Sequence, residues 1–142
     1  MECPNLVFAF YFFFVKNDGL RLPLVNKVLL GYFVFHYINR DLIYPFRTRG
    51  GKPMPFSVMM GAFLYTSWNG YVQSRFLTEE KMYDSSHLSS PQFIVGSVVF
   101  FAGFVLNNQA DTILINLRKP GETGYKIPCK LSVGLGWKIA TG

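Results

Sequence analysis

Apolar residues gather in four stretches, and polar residues interrupt them at intervals too short for separate domains. Residues 1–15 are almost wholly apolar but fall short of the roughly 20 residues a helix needs to cross a bilayer. Two readings stand for this stretch. One is a signal-peptide core, although the basic start of such peptides is missing. The other is the remainder of a longer helix. Residues 16–24 form a polar connector, with Asp18-Gly19 as a turn and Pro23 as a breaker. Residues 26–46 predict a second helix. Its first part, 28–35, is purely apolar, and its second part carries His36, Tyr37, Asn39, Arg40 and Asp41. His36, Tyr37, Arg40 and Asp41 share one face at helical spacing. Ionisable groups in a membrane helix are costly and face a cavity or a partner. The bland alternative is a helix reaching the interface, with Arg40 and Asp41 salt-bridged to one another.

Residues 56–77 predict a third helix. Thr66, Asn69, Gly70 and Gln73 make a small, polar stripe along it. Such stripes pack membrane helices together, and they also line pockets. Residues 78–91 are an acidic connector in which 85–90 reads as mobile. Pro91 or Gln92 opens a fourth helix that runs to about residue 119. Asn107, Asp111, Leu114 and Arg118 fall on one stripe of that helix. Pro120-Gly121 stops it. An amide, a carboxylate and a guanidinium thus face one way along three turns, ahead of a loop carrying Glu122, Tyr125 and Lys126. That arrangement suits a phosphate-bearing ligand at a membrane surface. It also suits an interfacial helix end with snorkelling cations.

Composition narrows the class. The chain has 142 residues, 50% of them apolar and only 15% charged, against about 25% charged in an ordinary soluble domain. A helical membrane protein of one domain is therefore expected. The net charge of +6 contains no block of cations spaced for a nucleic-acid groove, so membrane lipid is the expected partner and nucleic acid is not. The basic loops around Arg49 and Lys119 flank an acidic one, which predicts basic loops in the cytosol and the acidic loop across the membrane. Cys3, Cys129, His36 and His87 make no metal-ligand pattern. Arg47, Arg49 and Lys52 beside Gly50-Gly51 form a loop that reads as positive-inside, with phosphate cradling as the weaker signal.

The run Asn116-Leu117-Arg118-Lys119-Pro120-Gly121-Glu122-Thr123-Gly124-Tyr125-Lys126-Ile127-Pro128 closely resembles the signature of the steroid 5α-reductases, NADPH-dependent membrane enzymes that reduce the double bond of a 4-ene-3-oxo steroid. Asn107-Asn108-Gln109-Ala110-Asp111 matches the ends of the family's Asn-x-x-Ser-Asp and departs in its middle. Arg49 to Pro55 is similar to the family's Arg-Gly-Gly-Lys-Pro-Met-Pro, and Asn69-Gly70-Tyr71-Val72-Gln73 to its Asn-Gly-x-x-Gln. Glu2-Cys3-Pro4 matches the core of a family motif that precedes an apolar run.

The resemblance implies an all-α integral membrane bundle, here about four apolar helices of a larger seven-helix fold. It implies that the chain begins inside a family motif and lacks the first and last membrane helices. Residues 1–128 would form the family-like domain, and 129–142 a divergent tail. By the same resemblance Tyr37 donates to the substrate ketone and Glu2 orients it. Asn107, Asp111, Arg118 and Tyr125 match cofactor-contacting positions, with Arg49 and Lys52 as phosphate partners. The implied cofactor is NADPH, the substrate a steroid, and the location the endoplasmic reticulum membrane with several passes. No Gly-x-Gly-x-x-Gly fingerprint is present, so a Rossmann site is not expected. Three alternatives stay open: an enoyl-thioester or polyprenol reductase, a silent membrane protein that associates with a full-length relative, and an unrelated basic membrane protein.

Overall fold

Every regular element of the described chain is helical, and each main helix begins at a proline. The computed structural model describes residues 2–48 and 54–116. Expectations for Arg49, Lys52, Arg118 and Tyr125, and the boundary at residue 128, lie outside these residues. Helix α1 spans Pro4–Phe10, α2 spans Leu24–Ile38, α3 is the short Tyr44–Arg47, α4 spans Phe56–Arg75 and α5 spans Pro91–Asn116. Pro4 and Pro91 sit in first turns, while Pro23 and Pro55 immediately precede α2 and α4. A helix start suits proline, because its fixed φ is already near helical and its missing N–H would have no partner there.

Three helices end in wider π turns. These are Tyr11–Lys16 after α1, Asn39–Ile43 after α2 and Phe76–Glu80 after α4. The middle one has a local cause. Pro45 has no N–H for the carbonyl one turn back and its ring crowds that carbonyl, so the turn opens. The expected helix over 26–46 is therefore continuous but locally widened at Arg40 and Asp41. The connector expected to be mobile folds as a 3₁₀ helix, Ser85–Ser89, because the Asp84 carboxylate accepts from Ser86 N (3.2 Å) and Ser86 Oγ (2.6 Å).

Side-chain pairs fix the topology. Asn26 reaches the carbonyl of Leu77 while Tyr37 meets Asn69, so α2 and α4 run antiparallel. Tyr32 meets Ser97 and Arg40 meets Asp111, so α5 runs parallel to α2. Asn5 meets Asn69 and Asn17 meets Thr78, so α1 runs with α4. The closest approach is at Gly70, where a Cβ would lie 2.8 Å from the Asn5 Cα. Glycine there lets the α1 backbone lie directly on α4.

The tightly buried apolar cluster is small: Ala9, Leu30 and Leu77, with Phe13, Leu29, Phe33, Val34 and Tyr83 against it. Beside it lies a polar anchor. Asn26 is fully buried, donates to the carbonyls of Leu77 (2.8 Å) and Lys81 (2.6 Å), and accepts from Tyr83 N (3.0 Å). It fastens the start of α2 to the chain leaving α4.

Burial on α5 is inverted relative to a water-soluble helix. Its one buried residue is Asp111, while Ile94, Val95, Val98, Val99 and Leu106 are more than half exposed. With 26 residues and a length of about 39 Å, α5 is long and apolar enough to cross a bilayer. All four expected apolar segments are helical, but α5 is the one that meets that standard among the described residues. The stripe of Thr66, Ser67, Asn69, Ser74 and Arg75 dilutes α4, and α2 is too short before its π turn.

Candidate functional site

Ionic groups collect at one end of the bundle. Arg40, on the π turn after α2, places Nε 3.4 Å from Glu2 Oε1 and Nη1 3.3 Å from Asp111 Oδ2. Its guanidinium also lies over the Tyr44 ring, 4.6 Å from the centroid. Asp41 accepts from Glu2 N at 3.1 Å, and its second oxygen has no hydrogen-bond partner among the described residues. The Arg40–Asp41 salt bridge of the bland alternative is not made: Arg40 bridges to Glu2 and Asp111 instead, because consecutive helical residues point to different sides. Arg47 donates to Thr112 Oγ1 at 2.5 Å. Helices α2, α3 and α5 are tied together here by charged hydrogen bonds, while farther along α2 and α5 meet through aromatic rings.

Next to this end an open cavity of about 840 Å³ runs between α2, α4 and α5. Its walls are rich in aromatic rings, with Tyr32, Phe33, Phe76, Phe93, Phe100 and Phe104 among them. Tyr32 and Phe100 stack at 5.0 Å and Phe35 meets Phe104 at 4.7 Å, so α2 and α5 touch through rings and leave space beside them. Gly96 and Gly103 of α5 line the cavity, and a Cβ on either would meet nothing within 4 Å. Along α2 the lining runs from Leu29 to Tyr37, about 12 Å of helix. That is an elongated, apolar slot with polar groups at intervals.

The polar groups at the ionic end of the slot are Tyr37, His36, Asn69 and Asn107. Tyr37 OH accepts from Asn69 Nδ2 at 3.1 Å, and the same amide donates to Asn5 Oδ1 at 3.0 Å. Asn5 is fully buried and donates to the Glu2 carbonyl at 3.1 Å.

The residues singled out from sequence are therefore distributed as follows. Tyr37 and Asn107 line the slot together, and Asp111 sits one turn beyond Asn107 on the ion network. The carboxylate of Glu2 is turned to Arg40, and the hydrogen-bond partner of Tyr37 is Asn69. Leu114 of the same stripe is half exposed. The stripe on α4 serves both expected purposes: Gly70 packs on α1, Asn69 and Gln73 line the slot, and Thr66 turns back to the carbonyls of Ala62 and Phe63. Asn5 was missed. Its sequence signal is an amide directly after a helix-starting proline in an otherwise apolar run.

Among the described residues, fold and site together define an all-helical architecture with an aromatic-walled slot beside a charged end. The chain belongs to the 3-oxo-5-alpha-steroid 4-dehydrogenase family, whose model matches residues 52–134. It is 48% identical to 3-oxo-5-alpha-steroid 4-dehydrogenase 1 of Bos taurus over 103 residues, covering 72% of this chain and 40% of that protein. Against the Rattus norvegicus protein of the same name, identity is 43% over 128 residues, 89% of this chain and 49% of the relative. A steroid 5-alpha-reductase of Gossypium hirsutum is 36% identical over 133 residues, 90% of this chain and 51% of the relative. The chain thus spans about half the length of the relatives it matches.

Proposed function

We propose that this chain carries the proton-donating wall and part of the cofactor site of an NADPH-dependent reductase acting on the 4,5 double bond of 3-oxo-4-ene steroids. The observation that carries the reading is the phenol of Tyr37 at the wall of an apolar, aromatic slot, next to a cluster of charged side chains. When hydride adds to the far carbon of an enone, negative charge grows on the ketone oxygen. A positioned phenol O–H neutralises that charge as it forms, and such general-acid groups are worth about 10²–10⁴ in rate. The aromatic walls match the flat rings of a steroid, and a bound steroid would displace water from the slot, which strengthens the donor's effect.

The donor set fits the nicotinamide cofactor. Asn107 offers an amide to the slot, Asp111 a carboxylate one turn on, and Arg47 a cation whose one partner among the described residues is a hydroxyl. Asn107 and Asp111 would hold the cofactor together with Arg118, Tyr125, Arg49 and Lys52, and bound NADPH supplies the hydride. Glu2 belongs to the same corner and, through its ion pair, sets the charge around Arg40. The outward apolar faces of α4 and α5 fit lipid, and the proposed setting is the endoplasmic reticulum membrane with several passes.

Those same exposed apolar faces also favour a second reading, a silent membrane protein that covers them with a full-length relative. One experiment separates the two. Residues 1–142 are expressed in microsomes that lack the activity, with NADPH and a 4-ene-3-oxo steroid added. A 5α-reduced product that disappears in Tyr37→Phe, with NADPH binding retained, supports the reductase. No product from a chain confirmed in the membrane, together with its recovery on a full-length relative, supports the second reading.

A further inference from the structure

We infer that Asn69 is the positioning residue for Tyr37, and that a relay of two amides makes the phenol a donor into the slot. The inference rests on the reductase reading for its consequence in catalysis, but its geometry stands apart from that reading.

The relay starts at the backbone. The Glu2 carbonyl can only accept, and Asn5 Nδ2 donates to it at 3.1 Å. That bond fixes the orientation of the Asn5 amide, so Asn5 Oδ1 is the atom turned to Asn69. An amide oxygen can only accept, so Asn69 must present its NH₂, at 3.0 Å. The same nitrogen lies 3.1 Å from Tyr37 OH and donates there with its second hydrogen. The phenol oxygen is then an acceptor toward α4, and its own hydrogen is left to point elsewhere. No other side chain among the described residues accepts it, and the phenol lies on the slot wall.

Three features hold the relay rigid. Asn5 has no exposed surface. Gly70, the residue after Asn69, is where α1 lies directly on α4, with Asn5 backbone atoms 2.8 and 3.2 Å from the Cβ that glycine lacks. Tyr37 is also braced by rings, 4.8 Å from Phe33 and 5.1 Å from His36. Glu2 enters the relay through its main-chain carbonyl, which leaves its carboxylate for Arg40.

Asn69→Asp is the decisive variant, because it swaps a donor for an acceptor at the same size. Two readouts are needed. The intensity ratio of the tyrosine Raman doublet is high when a phenol oxygen accepts and low when its O–H donates to a strong acceptor. The difference between the 142-residue chain in membranes and its Tyr37→Phe variant isolates Tyr37. A high ratio is expected in the unaltered chain, and a low one in Asn69→Asp, whose carboxylate captures the phenol hydrogen. Glu2→Gln keeps the carbonyl and is expected to keep the high ratio.

Where turnover is present, Asn69→Asp is expected to lower kcat about 100-fold, with KM changed by less than about threefold, the pattern of a group needed in the transition state. A low ratio in the unaltered chain, or a ratio that Asn69→Asp leaves high, overturns the relay. So does a fall in Glu2→Gln, which would move the orienting role to the carboxylate. If Asn69→Asp does not accumulate, the ratio of the unaltered chain and that of Glu2→Gln still decide. Absence of turnover with the expected Raman pattern would overturn the reductase reading alone.

Discussion

Arg40 and Asp111 meet at 3.3 Å across 71 residues of sequence, and Asp111 is the one buried residue of α5. This pair is what attaches the ionic end of α5 to α2. An aspartate side chain only 10% exposed needs a partner, and stranding such a group costs about 1–3 kcal/mol. Arg40 is itself one-third exposed, so the full cost of a deeply buried pair is not reached. Arg40→Met is therefore expected to lower thermal stability of the detergent-purified chain, and Arg40→Met with Asp111→Leu to recover most of the loss. A double variant no more stable than the single one would show that a stranded Asp111 carboxylate is not the source of the loss.

Gly70 and Gly61 lie on the same helix and should respond to alanine with opposite signs. At Gly70 the new Cβ would sit 2.8 Å from the Asn5 Cα, and a backbone atom cannot swing away. Separating α1 from α4 by the required few tenths of an ångström is expected to cost about 1–3 kcal/mol. At Gly61 the new Cβ meets nothing within 4 Å, and alanine gains about 1 kcal/mol of helix propensity. Thermal unfolding of the two variants checks this. A neutral Gly70→Ala would mean that α1 is not seated on α4 at this point.

Much of this organisation could be read along the chain, and the misses share a cause. Four apolar runs became helices because prolines and polar connectors marked their starts, as at Pro23, Pro55 and Pro91. Tyr37 and Asn107 were singled out through motif and stripe, and both line the slot, one from α2 and the other from α5. What spacing could not give was partner choice between helices. Arg40 stands beside Asp41 in sequence, yet it pairs with Glu2 and Asp111, because consecutive helical residues point about 100° apart and each meets a different neighbour. Helical periodicity says which residues share a face and carries no record of the neighbour that face will meet. Asn5 and Asn26 were missed for a related reason. Each is a lone amide in an apolar run, and its value depends on a carbonyl or amide distant along the chain. The acidic connector was read as mobile from its polarity, although Asp84 is well placed to cap the turn that follows it.

Asn26 offers a direct test of how α2 is fastened to the chain leaving α4. Its side chain satisfies three backbone groups, at Leu77, Lys81 and Tyr83. Asn26→Leu keeps the volume but strands all three, at about 1–3 kcal/mol for each that water cannot reach. The connector is expected to detach before the helices separate. Limited trypsin treatment should then cut after Lys81 in the variant faster than in the unaltered chain. Equal cleavage rates would mean that the ring contacts of Tyr83 with His87, 4.7 Å apart, hold the connector unaided.

The slot itself can be filled from the α5 side without disturbing the helix. Gly103 lines it, and nothing lies within 4 Å of the Cβ it lacks. Alanine there should be tolerated, and the helix should gain about 1 kcal/mol. Leucine adds three more carbons that extend into the slot beside Phe104 in the rotamer the test requires. If the slot takes the steroid, an occupant of that size must be pushed aside at about 1–3 kcal/mol, which weakens steroid binding about tenfold or more. Equilibrium dialysis of a labelled 4-ene-3-oxo steroid against membranes carrying Gly103→Ala and Gly103→Leu gives the comparison without requiring turnover. Stability should hold in both variants while affinity falls only in the second. Equal affinity in the two would place the steroid elsewhere, and the aromatic slot would then be left for the cofactor or for an acyl chain of the bilayer.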